Sequence, residues 1–362
     1  MSSPEEELQK IRSEIDQLDG QIISLIQKRA EFAQEIGRVK RNAGDPIYRP
    51  DRERDVYEKV SSRSQGPLPA SVIRAIYREM MSGTIALEHP LRIGFLGPEG
   101  SFSHEALRSK FGSSIDSFPQ PTIPDVFREV DSEKLDYGVV PVENSTEGQV
   151  SSTLDMFLET GVKIYSEHYQ RISFSLLGFE KDLKSVKKIY GIRIGNEQCR
   201  NWISANLSHA EIIETSSTAM AAKLVAERKD GLAIASKIAG EQYGLELIHE
   251  GIEDYSGNTT RFLVIGKTEC PRTGLDKTSL VFSLPNKTGA LFSVLQKFNE
   301  ANINLSKIES RPLKRNLWEY HFFIDFLGHK SDPKIASLLK SIEEECTVFK
   351  LLGSYPSAGQ FG

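Results

Sequence analysis

With 362 residues, 39% hydrophobic and 26% charged, the chain is too long for one hydrophobic core and has the make-up of a globular protein of two or three domains. A net charge of −5 gives no footing for nucleic acid, and no apolar run nears the roughly 20 residues that a membrane helix needs. Three widely spaced cysteines without a CxxC pair (Cys199, Cys270, Cys346) and an acidic, polar N-terminus speak against disulfides, zinc and a secretory leader, and for a cytoplasmic protein.

Residues 4–42 carry one long helical pattern, opened by Ser3, Pro4 and Glu6 as cap, first-turn proline and capping-box carboxylate. Leu8, Ile15, Ile22 and Ile36 form one heptad row; Ile11, Leu18, Leu25, Phe32 and Val39 form the other. Such a narrow apolar seam predicts a helix that pairs with another helix. Gly44-Asp45-Pro46 ends it, further helices are predicted over 51–61 and 70–87, and Pro90 closes the region. Residues 1–90 therefore read as an all-helical domain.

One residue breaks the seam: position 29, apolar by the heptad rule, is Arg29. It is either a surface arginine at a slip in the repeat or a guanidinium held in the seam to bind a carboxylate through two hydrogen bonds. Lys40, eleven residues on, returns to within about 20° of the same face, whereas Arg12 lies about 42 Å from Lys40 along a straight helix. The three cations can meet one small ligand only if two long helices pair antiparallel. A homodimer with shared sites follows.

Arg12 with Leu18-Asp19, Lys28-Arg29, Gly37-Arg38-Val39-Lys40 and Asp51-Arg52-Glu53-Arg54 resemble the all-helical chorismate mutases. The resemblance implies that Arg12 of one chain and Arg29 of the other hold the two carboxylates of chorismate. It implies that Lys40 bonds the ether oxygen that is cleaved, and that Glu53, with Arg52 beside it, takes the substrate hydroxyl. Thr84 and Glu88 match positions on the third helix, the latter often glutamine. The reaction so implied is a pericyclic rearrangement, which requires no nucleophile, metal or cofactor. It needs a fixed substrate shape and positive charge at the developing enolate oxygen.

From residue 91 short apolar runs alternate with helical stretches. Strands are predicted over 91–96, 137–142, 172–179, 188–192, 231–235 and 261–265, and helices over 104–111, 151–158, 196–206 and 218–227. This is an α/β pattern that places ligands near strand ends. Four polar loops stand at those ends: Gly97 to Ser103, Pro141 to Gly148, Ser216 to Ala219 and Asn258 to Phe262. Each alone is a cap or a turn; together they resemble prephenate dehydratase, with Thr260-Arg261-Phe262 the most specific signature. The resemblance implies an α/β, periplasmic-binding-like fold over residues 91–270 and an essential threonine at Thr260. Thr260 is expected to donate a hydrogen bond, or relay a proton, to the leaving hydroxyl of prephenate; Ser101, Asn144, Ser145, Thr218 and Arg261 are expected to bind substrate. Gly191 to Glu197 departs from the family's histidine-containing run and is read as a hinge or substrate wall, and Cys199 as a buried apolar residue.

Residues 277–355 read strand, helix, strand, strand, helix, strand, an α+β ferredoxin-like order. The strands are expected over 278–284, 304–310, 317–326 and 347–352, the helices over 289–301 and 333–343. Gly289-Ala290-Leu291 and Glu309-Ser310-Arg311-Pro312 resemble the regulatory ACT domain of the same enzymes. That resemblance implies phenylalanine as effector, held by Gly289, Ala290, Leu291, Glu309, Ser310 and Arg311. The expectation is thus a bifunctional enzyme, homodimeric or a higher homo-oligomer, with no cofactor, metal, nucleic-acid or membrane partner. Two alternatives are a dehydratase whose helical domain serves only to dimerise, and a non-enzymatic amino-acid sensor.

Overall fold

The computed structural model describes residues 3–43, 46–312 and 320–358. They divide into two compact units: residues up to Leu91 together with Phe111–Asp116, and the rest of the chain.

The first unit contains α1 (Pro4–Ala43), α2 (Pro50–Arg63) and α3 (Ala70–Glu88). The start signal of α1 works in both directions: Ser3 N–H donates to Glu6 Oε2 at 2.9 Å and Glu6 N–H donates to Ser3 Oγ at 3.3 Å. The helix is unbroken for 40 residues, about 60 Å, so Arg12 and Lys40 keep the separation the sequence implied. Gly44 and Asp45, expected to end it, lie outside the described residues. Both heptad rows are bare: Leu18 is 56% exposed, Leu25 67% and Val39 65%. α3 approaches α1 at Gly37, where a Cβ would lie 2.7 Å from Cγ of Glu88, so only glycine lets the two helices meet there.

The second unit begins with β1 (Arg92–Leu96), α4 (Phe102–Phe111), β2 (Asp116–Gln120), α5 (Ile123–Asp131), β3 (Tyr137–Asn144), β4 (Gly148–Gln149), α6 (Ser151–Glu159) and β5 (Lys163–Arg171). The chain then builds β6 (Ser175–Gly178), β7 (Lys188–Gly191), α7 (Arg193–Gln198), α8 (Arg200–Asn206), β8 (Glu211–Glu214), α9 (Thr218–Arg228), β9 (Leu232–Ala235), α10 (Lys237–Tyr243) and β10 (Glu246–Glu250), and returns at β11 (Thr259–Gly266). Two sheets result, in the orders β2-β1-β3-β11-β5 (β4 added to β3) and β10-β6-β9-β7-β8. The chain crosses between them after β5 and again before β11, which makes two lobes joined by two crossing segments, the expected periplasmic-binding-like arrangement. β11 runs antiparallel between β3 and β5, and Thr260 stands directly opposite Asn144 on one side and Gln170 on the other.

The C-terminal part holds β12 (Asp276–Ser283), α11 (Ala290–Glu300), β13 (Leu305–Pro312), β14 (Tyr320–Leu327), α12 (Pro333–Glu343) and β15 (Val348–Pro356). Its sheet has the order β13-β14-β12-β15, antiparallel throughout, the ferredoxin-like arrangement. Phe282, Phe298, Phe326 and Ile342 fill the space between sheet and helices. Gly289 caps α11 with φ of 82°, a left-handed conformation that favours glycine.

Several elements differ from expectation. The helix expected over 196–206 is broken at Cys199 into α7 and α8, and the strand expected over 172–179 shortens to Ser175–Gly178. Of the strand expected over 317–326, residues 317–319 lie outside the described residues. β2, β4, β5, β8, β10, α5 and α10 have no counterpart in the expected elements. No helix among the described residues is long and apolar enough to cross a membrane.

Candidate active sites

In the helical unit the cations converge where α1 meets α3. Lys40 Nζ donates to the Ile47 carbonyl at 2.9 Å and lies 4.0 Å from Glu88 Oε2. Arg29 projects into the same region: its charge, with those of Lys40 and Arg41, acts on the Glu88 carboxyl. Burial nevertheless dominates and raises the Glu88 pKa above the usual carboxylate value, the three cations opposing. Arg29 Nη1 and Glu88 Oε2 are both buried without a hydrogen-bond partner. Buried polar atoms are ordinarily satisfied, which makes this pair a candidate place for a polar ligand.

Glu53 is held from two sides, accepting from Tyr48 Oη at 3.2 Å and from Tyr57 Oη at 3.4 Å. Arg52 is exposed beside it, and Arg12 is exposed on the far half of α1. Thr84 is buried and donates back to the Met81 carbonyl at 2.9 Å. The structure therefore brings Arg29, Lys40 and Glu88 together and leaves Arg12 remote from them within one chain.

In the two-lobed part, Thr260 is the middle of a row across three strands. Asn144 Nδ2 donates to Thr260 Oγ1 and to Asn258 Oδ1, both at 2.7 Å. The amide thereby fixes Thr260 Oγ1 as an acceptor and leaves its O–H free to be donated onward. Asn144 Oδ1 accepts from Thr146 N at 2.9 Å, Thr146 Oγ1 at 2.6 Å and Glu147 N at 3.0 Å, which locks its orientation. From the second lobe, Gln198 Oε1 accepts from Asn258 Nδ2 at 3.0 Å, and Gln198 Nε2 donates to Glu147 Oε1 at 3.3 Å. Asn258, which opens one of the four polar loops, and Gln198 join this row, though neither is among the expected binders. Both were legible, Asn258 two places before Thr260 and Gln198 just ahead of Cys199 and Arg200.

The other expected binders stand apart from this row. Ser145 Oγ accepts from Thr259 N–H at 3.0 Å and stitches the loop to β11. Ser101 Oγ donates to the Leu96 carbonyl at 3.1 Å and accepts from His104 N–H at 3.3 Å, the work of a turn and a helix cap. Thr218 is buried at the start of α9, next to the capping Ser217. Cys199 is fully buried, and burial lifts its thiol far above the usual range, so it is no nucleophile. Ile192 is the N-cap of α7, so the departing run is the junction between β7 and that helix.

Arg261 is the one expectation that the geometry redirects. Successive strand residues point to opposite faces, so Arg261 faces away from Thr260, and it is 3% exposed. Its Nε donates to Glu167 Oε2 at 2.8 Å, Nη1 to Asp325 Oδ2 at 2.6 Å and Nη2 to Tyr355 Oη at 3.0 Å. Lys277 Nζ completes the cluster on Glu167 at 2.8 and 2.9 Å. Asp325, Tyr355 and Lys277 belong to the C-terminal sheet. Arg261 is thus a tie between β11 and that sheet, not a ligand of the substrate. Burial alone would raise the Asp325 pKa, but Arg261 and the Ser279 hydroxyl outweigh it and hold the carboxyl below its usual value.

β13 adds two more ties. Lys307 pairs with Glu143, the neighbour of Asn144, and Arg311 Nη2 reaches Asp155 Oδ1 on α6 at 3.4 Å. Glu309 shares that inward alternation while Ser310 is exposed. Gly289 is exposed, Ala290 buried and Leu291 half-buried at the start of α11.

Against this geometry stand the known proteins. The family model for prephenate dehydratase matches residues 93–270, that for chorismate mutase type II residues 11–89, and that for the ACT domain residues 278–344. The bifunctional chorismate mutase/prephenate dehydratase of Aquifex aeolicus is 42% identical over 357 residues, covering 98% of this chain and 99% of that protein. The protein of the same description from Stutzerimonas stutzeri is 44% identical over 363 residues, again 98% and 99%. The crystal structure of prephenate dehydratase in complex with L-Phe from Arthrobacter aurescens is 34% identical, with a TM-score of 0.68 over 74% of this chain and 90% of that one. The chain belongs to the family of bifunctional chorismate mutases/prephenate dehydratases.

Proposed function

We propose that the helical unit converts chorismate to prephenate, that the two-lobed part converts prephenate to phenylpyruvate, and that phenylalanine bound to the C-terminal part inhibits the second step, in the cytoplasm. In the mutase site Arg29 and the Arg12 of a second copy take the two carboxylates, while Lys40 and protonated Glu88 bond the ether oxygen. Glu53, oriented by Tyr48 and Tyr57, accepts the substrate hydroxyl, with Arg52 and Thr84 at the margin. The bare seam of α1 supports a homodimer, since an apolar stripe of that length on a 40-residue helix is stable when a second helix covers it. Catalysis here is a matter of shape and charge. The fixed cations meet negative charge where it develops.

In the dehydratase site, Thr260 donates its hydrogen bond to the departing hydroxyl of prephenate, and Asn144, Asn258 and Gln198 hold Thr260 and the lobes in register. Ser101, Ser145 and Thr218 shape the loops around them. The aromatic product supplies the driving force, so the protein has only to position the substrate and assist the leaving group. The observation that carries this reading is the hydrogen bond from Asn144 to Thr260, in which the hydroxyl oxygen accepts and its O–H stays available to donate. Thr260→Ala in the full chain tests it. Prephenate turnover should fall by roughly 10²–10⁴-fold while chorismate turnover is unchanged; parallel loss of both in a folded variant counts against it.

For regulation, the reading rests on Gly289 to Leu291 and Glu309 to Arg311 as the effector site. The ties Lys307 to Glu143 and Arg261 to Asp325 supply a physical link from β13 and β14 to the neighbours of Asn144 and Thr260. Phenylalanine inhibits only if it binds two arrangements of these ties unequally.

A further inference from the structure

The dehydratase reaction takes up a proton. The bond from the ring to its carboxylate breaks and carbon dioxide leaves; that electron pair enters the ring as the bond to the hydroxyl breaks. The oxygen departs as water only if it gains one proton. The row that holds Thr260 is no net source of it, because a threonine hydroxyl and carboxamides do not ionise near neutral pH. An acid must stand beside them.

Such a group lies one side chain away. Gln170, directly opposite Thr260 on β5, shares the face of Thr260, and opposed side chains in an antiparallel pair are about 4.5–5.5 Å apart at Cβ. Gln170 Nε2 donates to Glu105 Oε1 of α4 at 3.3 Å, which fixes that carboxyl in place. The other oxygen, Glu105 Oε2, is buried without a partner, although buried polar atoms are ordinarily satisfied. The charged groups around it are Lys237 and Glu241 of α10 and Arg108 of α4, which lies 3.8 Å from Glu241, and the imidazole of His168 on β5 bonds Gln170 Oε1 at 3.3 Å.

We infer that Glu105 is the acid that protonates the leaving hydroxyl while Thr260 holds it, an assignment that rests on the reading of the Thr260 row as the dehydratase site. Glu105 gives its proton to the leaving oxygen, which departs as water, and the carboxylate regains a proton from solvent before the next turnover. Burial, with repulsion from Glu241 and against attraction by Lys237, pushes the Glu105 carboxyl up to about 7, so about half of the molecules carry the proton at neutral pH and can release it.

Glu105→Gln, Glu105→Asp and Thr260→Ala in the full chain test this, with kcat/KM for prephenate followed across neutral pH. In the parent, kcat/KM should fall as pH rises through about 7, because the acid must be protonated. Glu105→Gln should lower the rate by roughly 10²–10⁴-fold and abolish that fall, and Glu105→Asp should restore part of the rate and the fall with it. A Glu105→Gln enzyme with parental rate, or with a lowered rate and the parental pH dependence, overturns the assignment and leaves Glu105 a positioning residue. A fully active Thr260→Ala would instead overturn the site reading itself. Should Glu105→Gln not fold, Glu105→Asp decides: a shifted alkaline fall supports the proposal and an unshifted one overturns it.

Discussion

Replacing Arg261 with methionine keeps the length of the side chain and removes its charge from the interface between β11 and the C-terminal sheet. Two hydrogen bonds to carboxylates are lost, each worth roughly 1.5–3 kcal/mol. Glu167 keeps Lys277, but Asp325 is left buried with the Ser279 hydroxyl, Tyr355 and the more distant charge of Lys307. Breaking a buried pair from one side costs about 3–5 kcal/mol, a large part of the roughly 5–15 kcal/mol that holds a typical protein folded. The pH dependence has a definite sign. Asp325 has a depressed folded pKa, so its contribution is fully present above the unfolded value of about 3.9 and is lost as pH falls through the folded one. The gap between parent and Arg261→Met should therefore be full at neutral pH and close on acidification. Urea unfolding at several pH values measures it, and the same preparations report phenylalanine inhibition of prephenate turnover, which should weaken. A variant within about 1 kcal/mol of the parent, a surface-mutation effect in size, with inhibition intact, would refute the reasoning.

Three further outcomes are expected. Glu88→Gln should hold its mutase turnover as pH rises, whereas the parent declines through the raised pKa of Glu88, because only the protonated acid can donate to the ether oxygen; superimposable pH–rate profiles would place Glu88 outside the site. Arg12→Ala and Lys40→Ala should each be nearly inactive as mutases, yet refolding them together should restore about a quarter of the activity through heterodimers with one intact site. Gly37→Ala should disturb the mutase and spare the dehydratase, since the added Cβ would meet Glu88 Cγ at 2.7 Å; equal activity in both assays would show that the helices can part without consequence.

Much of this was legible because some residues announce themselves against a period. Arg29 stands where a heptad demands an apolar side chain, and the cap Ser3 with Glu6 marks the start of α1 to the residue. Helix α5 could also have been found, from the Thr122 cap and the proline that follows. What hid was decided by contacts distant in sequence. β5 reads KIYSEHYQR and looks like surface, because Glu167 is buried only once Arg261 and Lys277 arrive from 94 and 110 residues away. β8 and β10 are edge strands with little burial, so no alternation betrays them. The resemblance carries Arg261 into the substrate site with the rest of its signature, but Arg261 adjoins Thr260 in a strand, where adjacency means opposite faces. Glu105 and Gln170 left no signal at all, since their meeting depends on how α4 lies over β5.

The most direct test of the account is a time course of purified full-length chain with chorismate alone. Prephenate should rise and then give way to phenylpyruvate, and added phenylalanine should hold the mixture at prephenate by slowing only the second conversion. Chorismate left unconsumed, or prephenate that accumulates without phenylpyruvate in the absence of phenylalanine, would contradict it.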